Sequence, residues 1–361
     1  MNHVKIIFGN MNSIHLERWC SYFFSDNSYF FISYEKVIDK SYPRLLGNLR
    51  RNKFFFLIFF FFNFFKILKI IINLKPKVVL IHYINEISII LFVLKIFFKF
   101  KIIMIPWGSD VNLNKNTLSS YVKSKLFNFS DLIITDGFHI KNYLINKFKV
   151  NKNKILIFNF PINFNTLKEM LISNDKNSKN IIFSNRSLDN IYSIDILIKA
   201  FEIFYKNNNN YILYLVGDGD EKNKLKKLVA SFNLSNQILF FGRLEYSKMI
   251  NLLIESEIFV SSSKSDAGLS SSIAEAIYLK KPVVASDNSD NNVWIKDFDN
   301  GLLYKTDDVQ ALADKLNYMS NNKLTYSQNT YNHFLDNFSY ESIMPKVKDI
   351  IDKLSLMGIV K

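Results

Sequence analysis

The chain has 361 residues, a net charge of +14 and a single cysteine. That length leaves room for about two domains at the usual ~100–200 residues each. Cys20 alone excludes an internal disulfide framework, which makes a reducing compartment the default. The histidines (His3, His15, His82, His139, His333) are scattered and form no metal-binding Cys/His cluster.

The charge is uneven. Between Lys40 and Lys101 twelve Lys/Arg stand against one acidic residue, Glu86, so segment 40–101 carries +11. It also holds FFFLIFFFFNFF, residues 54–65. A membrane span needs ~20 apolar residues, and Lys53 and Lys66 bracket only twelve, interrupted by Asn63. Two readings stay open: a buried amphipathic helix, or a helix lying on an anionic membrane surface with its basic side in the headgroups. The abundance of Phe, Lys, Ile, Asn and Tyr along the whole chain is a compositional alternative to both. No nucleic-acid-binding motif is present, and the apolar density argues against a solvated groove.

In chain order, MNHVKIIFGN lacks a signal-peptide pattern, and its VKIIFG (Val4–Gly9) predicts a strand. HLERWCSYFF (His15–Phe24) predicts a helix capped by Ser13. YFFISY is a second strand, followed by the basic aromatic helix. VVLIHY (Val78–Tyr83), the helix ISIILFVLKIFF and the strand KIIMIPW (Lys101–Trp107) repeat the unit. DLIITD (Asp131–Asp136), FHIKNYLINKF and KILIFNF (Lys154–Phe160) repeat it again. Such alternation predicts a parallel sheet with helices on both faces. The polar stretch Asn163–Asn180 marks a boundary. After it the pattern restarts with NIIFSNR, IDILIKAFEIFYK, YILYLVGDGD, EKNKLKKLVASF, QILFFGR, SKMINLLIES, EIFVSSS, SSSIAEAIYL and KPVVAS, and the tail from Tyr331 reads as helix to the end. The fold class is therefore α/β, with two doubly wound Rossmann-like domains facing across a cleft. Ligands bind at the carboxyl ends of parallel strands, so the cleft is the default site.

Four strand ends of the second half carry the chemistry: Asn185-Arg186, Gly217-Asp218-Gly219, Gly242-Arg243 and the link Ser261–Ser272. Arg186 offers a fork of donors suited to phosphate. Gly268 permits close backbone approach. Ser270, Ser271 and Ser272 open a helix where the dipole favours negative charge, although simple N-capping explains them too. Glu275, in the first turns, could accept hydrogen bonds from a ribose diol. Asp218-Gly-Asp220 spells a metal-binding DxD, but its place at a strand end reads as a turn. In the first half, Asp110 of the Gly108-Ser109-Asp110 run and His82 stand at strand ends, and the loop Gly9–His15 lies beside them. Capping or packing roles are the alternatives for Asp110, His15 and His82.

The ordered set resembles the GT-B glycosyltransferases of the family 4 type. The resemblance is strongest from Ile181 to Tyr304, over NRSLDNIYSIDILIKAF, VGDGD, FFGRLEYSKMINLLIESEIFVSSSKSDAGLSSSIAEAIYLKKPVVASD and DNGLLY, and extends to NSIHLERW, KPKVVLIHY and PWGSDV. It implies an acceptor-binding domain over 1–168, a nucleotide-sugar-binding domain over 169–338 and a C-terminal helix over 339–361 crossing back to the first domain. By resemblance, Arg186 holds the donor diphosphate, Glu275 the ribose, and Gly242-Arg243 line the base pocket. Asp266, Ala267 and Gly268 lie beneath the donor sugar, and Leu269, Ser270 and Ser271 belong to the same donor site. Gly9, His15, His82, Gly108, Ser109 and Asp110 face the acceptor, with Arg186, Asp110 and His82 as the catalytic candidates.

Two departures stand out. Where the family carries a first glutamate eight positions before the second, this chain has Ala267, with Asp266 one residue earlier. Either Asp266 reaches the sugar, or backbone supplies the contact. The basic residue usual after the first-strand arginine is also missing, since the region reads Ile191-Tyr192-Ser193; Lys264 is a candidate substitute. The resemblance implies metal-independent hexosyl transfer from a UDP- or GDP-sugar, with retention, to a cell-envelope glycan or lipid-linked acceptor (lipopolysaccharide, capsule or exopolysaccharide). It implies no cofactor, and such an acceptor fits the basic apolar segment 40–101 as a dock on an anionic membrane surface, so the expectation is a cytoplasmic, peripherally membrane-bound protein. A non-catalytic GT-B binding subunit and a sugar-nucleotide 2-epimerase are the alternatives.

Overall fold

The computed structural model describes residues 3–38, 42–49, 56–112, 119–162, 164–173, 180–266, 268–296, 298–322 and 328–357. The chain divides into two compact units, Met1–Pro161 with Tyr340–Lys361, and Ile162–Ser339.

The first unit is a seven-stranded parallel sheet. Its elements are β1 (Lys5–Gly9), α1 (Ile14–Ser21), β2 (Tyr29–Ser33), β3 (Leu45–Asn48), α2 (Phe56–Leu74), β4 (Val78–His82), α3 (Ser88–Phe97), β5 (Lys101–Ile105), α4 (Ser109–Asn112), α5 (Ser120–Phe129), β6 (Leu132–Thr135), α6 (Phe138–Phe148) and β7 (Ile155–Ile157). The strand order is β3-β2-β1-β4-β5-β6-β7. β1 and β4 are buried along their whole length, which is why they read as unbroken apolar runs rather than as alternation. The order reverses between β1 and β4. Their carboxyl ends, Gly9 and His82, lie side by side there, and a Cβ on Gly9 would stand 3.2 Å from that of His82 and 2.4 Å from Leu16. Glycine at position 9 therefore lets the strand, the first helix and the histidine close together.

The sequence did not signal β3, a four-residue strand with no fully buried residue, nor α5. Ser13 does occupy the cap position of α1, but its hydroxyl makes no capping bond; only its carbonyl serves, accepting from Glu17 N at 3.0 Å. Basic aromatic α2 is a helix with an unexpected inside. Asn63, Ile67 and Ile71, four residues apart, form its buried stripe, while Ile58, Phe61, Phe62 and Phe65 are exposed.

The second unit comprises α7 (Asn165–Ser173), β8 (Ile181–Ser184), α8 (Ile194–Tyr205), β9 (Ile212–Val216), α9 (Lys222–Ser231), β10 (Ile238–Gly242), α10 (Tyr246–Glu255), β11 (Ile258–Ser261), α11 (Ser271–Tyr278), β12 (Val283–Ser286), α12 (Asn291–Trp294), β13 (Gly301–Tyr304), α13 (Val309–Asn321) and α14 (Gln328–Phe338). Its six parallel strands run β10-β9-β8-β11-β12-β13, with the reversal between β8 and β11. One face packs Leu197, Phe201, Phe204 and Leu316; the other packs Phe183, Ile250, Phe259, Ile273 and Phe334. The polar stretch after Asn163 begins as α7, whose Leu167 joins this second face.

The tail is helical but not continuous. α14 ends at Phe338, and α15 (Tyr340–Leu356) starts afresh after Ser339, which bridges Ile162. Ile343, Met344, Val347 and Ile351 of α15 are buried in the core of the first unit beside Trp19, Phe31 and Leu80.

Candidate functional site

Each sheet gathers polar residues at the carboxyl edge of its reversal point, where parallel sheets receive ligands. In the second unit the strand-end loops are laced together by hydrogen bonds. Ser187 Oγ donates to Asp218 O at 2.8 Å and Leu188 N to the same oxygen at 3.1 Å. A Cβ on Gly217 (φ +150°) would lie 2.5 Å from the Arg186 carbonyl oxygen, so only glycine allows these two strand ends to meet. Gly242 ends β10 with φ +69°, and its carbonyl accepts from Gly217 N at 2.9 Å. The turn Asn190–Tyr192 is tied to the end of β11 through Ser262 Oγ to Tyr192 O and Lys264 N to Ile191 O, both 2.8 Å.

Within this frame Arg186 is held on three sides. Its Nη2 pairs with Asp266 Oδ1. Its Nη1 donates to Ser272 Oγ at 3.0 Å. Its guanidinium lies over the Tyr192 ring, with Cζ 4.5 Å from the centroid. Ser270 caps α11, its Oγ accepting from Ile273 N, and lies 3.1 Å from Ser272 Oγ. The result is a cationic fork at the positive end of a helix, an arrangement suited to a phosphate group. One turn further on, Glu275 is buried and its Oε1 accepts from the Tyr246 hydroxyl at 3.1 Å.

The structure thus brings together Arg186, Asp266, Ser270 and Glu275, with Ser271 at the first position of α11. Gly268 is buried in the same loop. Leu269 is 7% exposed and packs in the core, so its backbone alone is available to a ligand. Ala267 lies outside the described residues. Lys264 is half-exposed and sits 3.6 Å from Asp307 rather than at Arg186. Of the DxD pair, Asp218 is committed to Lys222 (3.1 Å) and to Gly219 N (3.0 Å). The Lys222 contact, with Gly219 N and the nearby Arg243 charge, holds the Asp218 carboxyl below its ordinary range. Among the described residues no group of three or more His, Cys, Asp or Glu is placed to hold a metal. Sequence reasoning passed over Tyr192 and Tyr246. Tyr192 acquires its role from the fold of the loop it shares with Arg186, and Tyr246, at the start of α10, from Glu275 on α11.

In the first unit His82 is 1% exposed, set edge-on between Trp19 (5.2 Å) and Trp107 (6.1 Å). Neither ring nitrogen has a hydrogen-bond partner among the described residues. Burial depresses its pKa to about 3, so the ring is neutral at ordinary pH. His82 lines a cavity of about 300 Å³ together with Asn10, Ser13, Tyr34, Glu35, Tyr83 and Trp107. Asp110 does not line it. It is fully buried, and its two oxygens accept from Ile84 N and Trp107 N, both at 2.8 Å. Burial pushes its pKa up to about 6 against the pull of these bonds and of Lys123. Asp110 therefore braces the loop after β4 to the loop after β5, shaping the wall that carries His82 and Trp107. Gly108 is buried with φ +83°; the side chains of His15 and Ser109 lie outside the described residues.

Two doubly wound parallel sheets, each with a polar strand-end cluster at its reversal point, define a GT-B protein. Residues 168–335 match the model of a family described as glycosyl transferases group 1, and the chain is similar to glycosyltransferases over a longer span. It is 28% identical over 275 residues to an uncharacterised glycosyltransferase of Methanocaldococcus jannaschii, covering 72% of this chain and 69% of that protein. Over 157 residues it is 28% identical to the poly(ribitol-phosphate) alpha-N-acetylglucosaminyltransferase of Staphylococcus aureus, covering 42% of this chain and 31% of that one. The crystal structure of Anabaena HepE in complex with UDP-glucose superposes with a TM-score of 0.76 at 14% identity, over 97% of this chain and all of the other.

Proposed function

We propose that the protein transfers a hexose from a nucleotide sugar to a hydroxyl of a cell-envelope glycan or its lipid-linked precursor. The observation that carries this reading is the Arg186–Ser272 contact at the N-terminus of α11, one turn from buried Glu275. Arg186 and the helix N-terminus would receive the donor diphosphate, and Glu275, oriented by Tyr246, the ribose. As the anomeric C–O bond breaks, negative charge grows on the leaving phosphate oxygen. Donors already fixed at that point stabilise it without reorganisation. The acceptor oxygen forms the new bond to the anomeric carbon, and its proton passes to the departing diphosphate, a front-face course that retains configuration. Asp218 is taken up by Lys222, and the proposal needs no metal.

The staphylococcal relative acts on a poly(ribitol-phosphate), and the HepE complex holds UDP-glucose; both support the substrate classes proposed here. The aromatic rings and hydrogen-bonding groups around the first-unit cavity suit a sugar ring of the acceptor. No helix among the described residues is long and apolar enough to cross a membrane. A lipid-linked acceptor would instead be met at an anionic bilayer surface by the outer face of α2 and α3, which exposes Phe61, Phe62, Phe65, Ile96 and Phe97 among Lys69, Lys75 and Lys99. Apolar insertion with basic side chains in the headgroups is how such a surface binds.

The test is release of nucleoside diphosphate from a panel of UDP- and GDP-sugars in the presence of an envelope lipid extract, with and without EDTA. Turnover with one donor, unchanged by EDTA and abolished in Arg186→Ala, is the expected result. Nucleotide binding without turnover on any donor would instead indicate a non-catalytic binding subunit.

A further inference from the structure

The guanidinium of Arg186 is occupied by the protein's own carboxylate. Arg186 and Asp266 are each 10% exposed and stand 80 positions apart in sequence, so the pair is a product of the fold. Only one oxygen of Asp266 is used. Its Oδ2 and the Nε of Arg186 have no hydrogen-bond partner among the described residues. An arginine fork meets a carboxylate best with two parallel bonds; here a single one forms, and the fork retains unused donor capacity. The loop does not depend on that carboxylate for its shape. Asp266 N donates to Ser289 Oγ at 2.9 Å, and the Ser289 hydroxyl donates to the Asp266 carbonyl.

We propose that Asp266 is the counter-ion that sets donor affinity: it holds Arg186 until a diphosphate, richer in acceptor oxygens, displaces it. The inference rests on the donor-site reading above. While Asp266 occupies Arg186, the binding-competent fraction is small, and apparent affinity falls by that fraction. The incoming diphosphate must also sit near the released carboxylate, so both effects weaken binding of the nucleotide. Ligands without a phosphate do not call on Arg186 and are indifferent to the pair. The carboxylate shifted one residue before Ala267 thus acquires a role in the ligand-free protein.

The experiment is calorimetric titration of the full chain with UDP, GDP, ADP and dTDP, and with the corresponding nucleosides. It compares wild type, Asp266→Asn, Asp266→Ala, Arg186→Ala and the Arg186→Ala/Asp266→Asn pair, each first checked by thermal unfolding. Asp266→Asn and Asp266→Ala should bind the preferred nucleoside diphosphate about tenfold more tightly, with nucleoside affinity unchanged. The gain should vanish in the Arg186→Ala background. If the two Asp266 variants bind no more tightly than wild type while Arg186→Ala weakens binding, the inference is wrong and the donor site stands. If no nucleotide binds wild type or any variant, the donor-site reading falls and this inference with it.

Discussion

At the residue scale the two sites rest on buried polar groups whose charge states differ for physical reasons. His82 loses its proton affinity to burial alone. Its neutral form contributes stability that is present above the ordinary imidazole pKa of ~6.5 and lost as pH falls toward about 3. Asp110 behaves in the opposite sense. Its raised pKa favours the protonated form in the fold, so its contribution is complete below the ordinary carboxylate pKa of ~3.9 and lost as pH rises through about 6. Urea unfolding across pH should therefore show wild type losing about 2–3 kcal/mol relative to Asp110→Asn between pH ~4 and ~6. Against His82→Phe, wild type should lose ground as pH falls from ~6.5. Parallel curves for wild type and either variant would contradict the corresponding charge state. In the second unit, Gly217→Ala places a methyl group 2.5 Å from the Arg186 carbonyl. It should cost about 2–4 kcal/mol by the same measurement, and a neutral effect would mean that the strand ends separate more easily than the geometry allows.

Elements show where the sequence was legible. β1, β4, β8 and β11 are buried on both faces, and such short apolar runs alternating with helical patterns point to a parallel sheet. β3 is half-exposed throughout, α7 lies within a polar stretch with Leu167 buried and Asn165, Lys168 and Glu169 exposed, and neither stands out from its neighbours in composition. α2 is apolar almost all round, so periodicity could not say which face turns inward, and the structure buries Asn63 while leaving Phe61, Phe62 and Phe65 outside. That inversion gives the membrane proposal a direct test. Phe61→Asp with Phe65→Asp should abolish co-sedimentation with phosphatidylglycerol vesicles and leave the melting temperature within a few degrees of wild type, because neither side chain is in the core. Retained binding, or equal binding to phosphatidylcholine vesicles, would rule out this face as an anionic-surface dock. The candidate donor site was legible in its parts and not in its assembly. Arg186, Asp266 and Glu275 could each be picked out by residue type and strand-end position. The Arg186–Asp266 pair and the Tyr246–Glu275 bond join distant segments, the Tyr192 ring meets the guanidinium only through the fold of their shared loop, and local pattern carries no trace of them.

For the whole molecule, the last helix returns to the core of the first unit. α15 supplies four buried apolar side chains, each contributing about 1.5–3 kcal/mol on burial, and Asp352 pairs with buried Lys5 at 2.6 Å. The first unit is incomplete without it, whereas the second carries its two core faces within Ile162–Ser339. Truncation after Ser339 should unfold the first unit, seen as a lost thermal transition, while nucleotide binding by the second unit survives. The central claim, that the strand-end cluster around Arg186 and Glu275 receives a nucleoside diphosphate, is tested most directly by a thermal-shift panel of UDP, GDP, ADP, CMP and dTDP without added metal. A ligand that binds only the folded chain raises its melting temperature by mass action. A clear shift with one nucleotide, lost in Arg186→Ala and in Glu275→Ala, is the predicted result; no shift with any of the five would contradict it.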